Sequence, residues 1–441
     1  MFHFRKIARM FAAEKYERNN FVNRFFVFPL LVICIGTLSW SWIPVARIGA
    51  TVLEWPNLMT LVSIYALPFV IFVTKVRAST LLPIYALLAW SLLYVISMNT
   101  HATSEGLGIF RQQLFQAIFG LSLIFLIIKA NIPVKKLGSI GLVSTLLALE
   151  ISAIKAQVSL ISDLVISIST GNRSAFVFGT LKKSFNAFIN NASDVSYSSS
   201  QINSFSSFVV LFAMMSLITE NPDERNSKGR KVLAYSSLVL VMLIFSTSAV
   251  LAVSIFALIV FCTSIGRPKN IWGYILAVVL VLIFLLCVPT IFEYAYSQLA
   301  NDSNSRSARL DQYAIALQEI DQNILFGAGY FTVGPYPIHN WILFSWATSG
   351  ILCLLAAVMC YVLSFINVRR AIISNPRNAA AIITILFIFV IRTMVGGAGG
   401  IPSGSALLSL VIVVVLGNKA LVNKVGINSS DQRPAIKLLA T

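Results

Sequence analysis

Long apolar stretches separated by short polar ones repeat along almost the whole of this chain. Twelve of them reach or approach the roughly 20 residues that an α-helix needs to cross a bilayer. They are 25–45, 57–74, 79–98, 110–128, 137–155, 203–219, 232–248, 249–265, 271–289, 341–366, 378–394 and 404–417. The pattern predicts an all-α polytopic membrane protein of about twelve spans, with one integral membrane domain over residues 1–441. Apolar residues continue past the fifth stretch through Ile166, so that helix is either longer or followed by a separate interfacial one. The seventh and eighth stretches are divided only by Ser246-Thr-Ser248, a separation that suits a tight hairpin. Two longer segments break the rhythm, 156–202 and 290–340, and long connections of this kind are commonly functional.

In the first segment Phe178, Leu181, Phe185 and Phe188 share one helical face, away from Lys182, Lys183, Asn186 and Asn190. That is the pattern of a helix lying in the membrane interface, where it anchors the loop. A Ser/Asn-rich tract, 190–207, then leads into the sixth span. In the second segment Leu310, Tyr313, Leu317 and Ile320 recur at helical spacing with Asp311, Gln312, Gln318 and Glu319 on the other side. An amphipathic helix resting on the membrane domain is expected there. Ser303, Ser305 and Ser307 are candidate caps, and Arg306 and Arg309 stand near them. A helix N-terminus beside two guanidinium groups suits a phosphate; the competing reading pairs these arginines with Asp302 and Asp311 on a hydrated surface.

Next comes Phe326-Gly-Ala-Gly-Tyr-Phe-Thr-Val-Gly-Pro-Tyr-Pro-Ile-His-Asn340, which sets a glycine-rich turn and a histidine at the mouth of the tenth apolar stretch. No lysine-serine or lysine-threonine pair follows the glycines and no strand-helix unit surrounds them, which excludes a nucleotide loop. Gly327, Gly329 and Gly334, with Pro335 and Pro337, instead bend the chain so that a helix starts near His339. His339 is one of three histidines. His3 falls on the basic N-terminal segment and His101 in a short loop, which leaves His339 as the best-placed base near neutral pH. Asp311 and Glu293 are alternative bases.

Composition and charge refine this picture. With 57% hydrophobic and 11% charged residues the chain uses lipid as solvent. Its formal net charge is +17, yet 24 of the 33 lysines and arginines fall on one side when the N-terminus is placed in the cytoplasm. The excess charge therefore reflects topology and attraction to anionic lipid headgroups, not nucleic acid. Both termini are then cytoplasmic, and the two long segments face the opposite side. Cys34, Cys262, Cys287, Cys353 and Cys360 all lie in apolar stretches without metal-ligand spacing, so neither a disulfide framework nor a metal centre is expected. Residues 1–24 are too charged for a cleaved signal peptide, and the first stretch reads as a retained anchor. Ionisable residues inside apolar stretches carry a functional prior because burying charge in lipid is costly. Glu150, Arg111 and Arg392 qualify, and Arg392 comes just before Gly396-Gly-Ala-Gly-Gly400. The plainer reading lets both arginines snorkel to headgroups and gives Glu150 an internal partner.

Arg309-Leu-Asp-Gln-Tyr313, Leu325-Phe-Gly-Ala-Gly-Tyr330, His339-Asn340 and a following helix with Gly350, in that order, resemble the signature region of the O-antigen ligase and O-antigen polymerase superfamily. The resemblance covers Ser303 to Leu355, and the span layout agrees over the rest. It implies a GT-C-like membrane glycosyltransferase of the bacterial inner membrane. Its donor would be an undecaprenyl-pyrophosphate-linked glycan on the periplasmic face, and its acceptor either another lipid-linked repeat unit or the lipid A core. The implied assignment makes His339 and Arg309 catalytic and places Arg306, Arg392, Arg111, Asn340 and Asp311 around the substrate. No cofactor, metal or nucleic acid is implied; membrane lipids and a chain-length regulator protein are the further partners. The superfamily's serine-arginine pair at the seventh-to-eighth hairpin is absent here, since Ser246-Thr-Ser-Ala249 lacks an arginine, which turns attention to Arg392 and Arg111. The polymerase reading leads, the ligase follows, and a lipid-linked oligosaccharide flippase is the rival from another class.

Overall fold

A computed structural model describes residues 26–40, 44–48, 51–54, 76–98, 104–170, 180–181, 183–184, 195–219, 228–244, 247–264, 303–329, 338, 340–394, 402 and 404–431. Apolar stretches 57–74 and 271–289 lie outside this set. The helices are α1 (Phe28–Ser39), α2 (Ala78–Met98), α3 (Ser104–Ala130), α4 (Val134–Lys155), α5 (Leu160–Thr170), α6 (Val195–Leu217), α7 (Lys228–Ile244), α8 (Thr247–Ser264), α9 (Ser303–Gln322), α10 (Trp341–Ser374), α11 (Ala379–Met394) and α12 (Gly404–Asp431). The all-α expectation needs one amendment. Strands β1 (Pro44–Ile48) and β2 (Thr51–Glu54) pair antiparallel just after α1, where β-branched residues flank a short turn.

Five described helical segments are long and apolar enough to cross a membrane: Gln113–Ala130, Val134–Lys155, Trp341–Ser374, Pro376–Met394 and Gly404–Val422. Shorter apolar helices, Ala78–Tyr94, Ile202–Leu217 and Ala249–Thr263, pack with them. The protein is thus a helical membrane protein of several spans. The fifth apolar stretch resolves into two helices, because Gln157 takes a positive φ of 55° and α5 starts afresh at Leu160. Ile161, Val165 and Ile166 of α5 are exposed. Of the expected interfacial helix at 178–188, only 180–181 and 183–184 are described; Leu181 is buried there and Ser184 Oγ donates to Thr180 O one turn back.

Side-chain amides tie the helix ends together. Asn378 Oδ1 accepts from the N–H and hydroxyl of Thr219, and Asn375 and Asn378 both donate to the Thr219 carbonyl, which joins α6 to the α10–α11 connection. Asn418 Oδ1 accepts from Arg77 N–H at 3.1 Å, Asn367 donates to Thr80 O at 2.9 Å, and Lys419 Nζ donates to Ile132 O. These bonds satisfy backbone groups that helix termini leave open. α12 runs through the middle, with Leu407 to Val415 buried along its length.

α4 and α6 approach closely. A Cβ on Gly141 would overlap the Phe212 ring, and one on Gly138 would overlap the Met215–Ser216 backbone, so the glycines set the distance between these helices.

Candidate functional site

The segment Trp341–Ser374 is two helices folded on each other. Gly350 has φ 75° and ψ −169°, outside helical space. In a straight helix 20 residues separate two positions by about 30 Å, yet the rings of Trp341 and Tyr361 stand 5.5 Å apart. Residues 341–349, termed α10a, therefore turn back along 351–374, termed α10b, and the start of α10a lies beside the middle of α10b. α10b alone is about 36 Å long, still enough to cross a membrane.

The break would strand backbone groups in an apolar setting, where each unsatisfied one is expensive. The glycine-rich turn after α9 satisfies them. Ala328 N–H donates to Ala347 O at 2.8 Å, Gly329 N–H to Thr348 O at 2.9 Å, and Ile351 N–H to Ile324 O at 3.1 Å. Gly327 takes φ 72°, and a Cβ there would overlap the Thr348–Ser349 backbone; one on Gly350 would overlap the Leu325 carbonyl. The sequence reading had the glycines bend the chain. It did not foresee that they seat the turn inside a broken helix.

An aromatic cluster fixes the start of α10a. Trp341 meets Trp90 at 5.8 Å, Tyr361 at 5.5 Å and Phe389 at 6.5 Å between ring centroids, and Trp90 stacks on Tyr94. Trp90 Nε1 donates to Ser345 Oγ at 2.8 Å, and the Tyr361 and Thr393 hydroxyls lie 2.6 Å apart. Trp90 and Ser345 are absent from the sequence-based candidates; the available signal was a lone tryptophan and a lone serine within apolar runs.

The candidate residues fall as follows. Arg306 and Arg309 lie in the first two turns of α9, which packs against α10, and Arg111 lies in α3. Asp311 is exposed. The buried line of α9 is Gln312, Ala316 and Ile320, while Leu317 is 51% exposed, so the apolar face is rotated from the one expected. The small Ala316 and the neighbouring Gln312 occupy that contact line. His339 lies outside the described residues; its neighbours are Ile338, fully buried, and Asn340. Asn340 caps α10a, its Oδ1 accepting from Ile342 N–H at 3.0 Å and Leu343 N–H at 3.1 Å.

Arg392 is partly buried near the end of α11 and donates from Nη2 to Ser204 Oγ of α6 at 3.2 Å. Among the described residues no carboxylate pairs with it. Phe389, one turn earlier on α11, touches Trp341, so the structure brings Arg392 and the Asn340–Trp341 helix start into one neighbourhood. Glu150, for which an internal partner was expected, is exposed. Among the described residues no three His, Cys, Asp or Glu side chains gather as metal ligands.

The fold and this site define a polytopic helical membrane protein with a fold-back helix near an arginine that pairs with no carboxylate among the described residues. Residues 232–358 match the family model described as O-antigen ligase. The match contains α9, the docked turn and α10a, the same region that carries the resemblance in the sequence. No curated protein matches the chain.

Proposed function

We propose that the protein is an inner-membrane glycosyltransferase that polymerises undecaprenyl-pyrophosphate-linked repeat units on the periplasmic face. The observation that carries this reading is the O-antigen ligase match across α7 to the middle of α10, which includes Arg306, Arg309, His339 and Asn340. In the transfer, an acceptor hydroxyl attacks the anomeric carbon of the donor sugar. The new C–O bond forms as the bond to the pyrophosphate oxygen breaks, and the hydroxyl proton passes to a base. His339 takes that proton, with Asp311 or Glu293 as alternatives. Arg309 and Arg306, with Arg392 or Arg111, stabilise the negative charge growing on undecaprenyl pyrophosphate, and the Asn340 amide orients a donor oxygen. The lipid carrier is already an activated leaving group, so no nucleotide enters.

The ligase reading uses the same donor and replaces the acceptor by lipid A core. The match over 232–358 is common to both readings. Supplying purified protein and carrier-linked donor with each acceptor in turn separates the two. Arg309→Ala and His339→Ala should each lower transfer about 10²-fold or more at normal membrane abundance, the cost of losing a charge-assisted contact or a proton acceptor in the transition state. Wild-type rates from both variants would remove these residues from the site.

A further inference from the structure

We infer that Gly327 and Gly350 are positioning residues for this transfer, a role that rests on the transferase reading above and extends it to residues outside the reacting groups. Opening a helix at one residue frees carbonyls one turn back, here those of Ala347 and Thr348. The 324–329 turn donates to both and receives the Ile351 N–H in return, so the turn replaces the missing turn of helix. Leu325 and Phe326 are 61% and 68% exposed, whereas the backbone is engaged on both sides. Each glycine has a positive φ and faces the other strand of the lock at a distance that leaves no room for a Cβ.

Both halves of the candidate site extend from this point. α9, with Arg306 and Arg309, ends at Gln322, and its last turn runs into the lock through Asn323, whose carbonyl accepts from Gly327 N–H at 2.9 Å. α10a leaves the lock as a rigid rod whose far end is the Asn340 cap. A shift at the lock is therefore delivered to both ends, and a displacement on the order of 1 Å between reacting groups lowers rate by about 10²-fold.

Two variants test this in the full-length protein. Gly350→Ala inserts a Cβ against the Leu325 carbonyl. Ile351→Pro is gentler: proline is tolerated in the first turn of a helix, and the change removes the N–H that bonds Ile324 O and exchanges one partly buried apolar side chain for another. In a cysteine-free background, nitroxides at Gln318 and Leu92, both exposed, report the α9-to-α2 distance by pulsed electron resonance. The expected result is a single narrow distance for the parent and a broadened one for both variants. With carrier-linked repeat units, kcat should fall at least about 10-fold while donor KM stays within about 3-fold, as expected when orientation is lost and binding kept. Unchanged distances, or broadened distances with parental kcat, would overturn the positioning role. A structural role alone would lower abundance and leave kcat per folded molecule unchanged, which also overturns it. If the parent protein transfers nothing while its distance is narrow, the transferase reading fails and the positioning role fails with it.

Discussion

At the scale of single residues, Arg392 carries the clearest energetic argument. A guanidinium on an apolar helix, bonded to Ser204 Oγ and paired with no carboxylate among the described residues, keeps capacity for an anion. Arg392→Ala should lower transfer about 10²-fold at unchanged abundance, and Arg392→Lys should recover part, since lysine keeps the charge and loses the planar fork. Parental rates in chain-length assays of both variants would return Arg392 to snorkelling. Trp90 makes a separate case. Trp90→Phe removes the bond to Ser345 Oγ and part of a buried ring contact, and should lower stability by about 1–3 kcal/mol, read as a lower Tm in detergent. Arg392 stood out in the sequence as a candidate because a charge in an apolar run is conspicuous. Trp90 was not, because nothing local distinguishes a tryptophan that braces a folded-back helix from one that faces lipid.

Among elements, close helix packing gives the sharpest test. Gly141→Ala places a methyl in the Phe212 ring and should destabilise the α4–α6 pair by about 1–3 kcal/mol of overpacking. Phe212→Leu in the same chain should restore part of the loss, a coupling that a double-mutant cycle in thermal unfolding measures. Additive effects would mean that the two side chains do not meet. Apolar periodicity located most of the described helices, since a hydrocarbon core demands long apolar runs wherever a span occurs. On α9 it placed Tyr313 and Ile320 on the packed side, as found, but also Leu317, which is exposed, and it left out Ala316 and Gln312, which are buried. It also read 341–366 as one span. Gly350 within Thr348-Ser-Gly350 is compatible with a continuous helix, and the fold-back depends on a partner turn that begins more than 20 residues earlier.

For the whole molecule, amide ties bring helix ends together. Thr219, Asn375 and Asn378, and Arg77, Asn367, Asn418 and Ile132, all lie at ends that the lysine and arginine pattern assigns to one side, and hydrogen bonds join them in two groups. Single cysteines at Ser227 and Ser303 in a cysteine-free background should accordingly label from opposite sides of the membrane. Labelling of both from the cytoplasm would place α9 away from any periplasmic donor. The helical membrane class and the segment that matches the O-antigen ligase model were legible because membrane solvation and the order of a few motifs constrain them; the acceptor proposed for it was not, because the polymerase and ligase readings share the donor chemistry. The most direct measurement of the central claim uses purified protein in detergent, carrier-linked repeat units and no nucleotide. The account expects longer lipid-linked glycans and release of undecaprenyl pyrophosphate in equal number to the bonds formed. Translocation of the same lipid across vesicles with no change in glycan length, and no pyrophosphate carrier released, would contradict it.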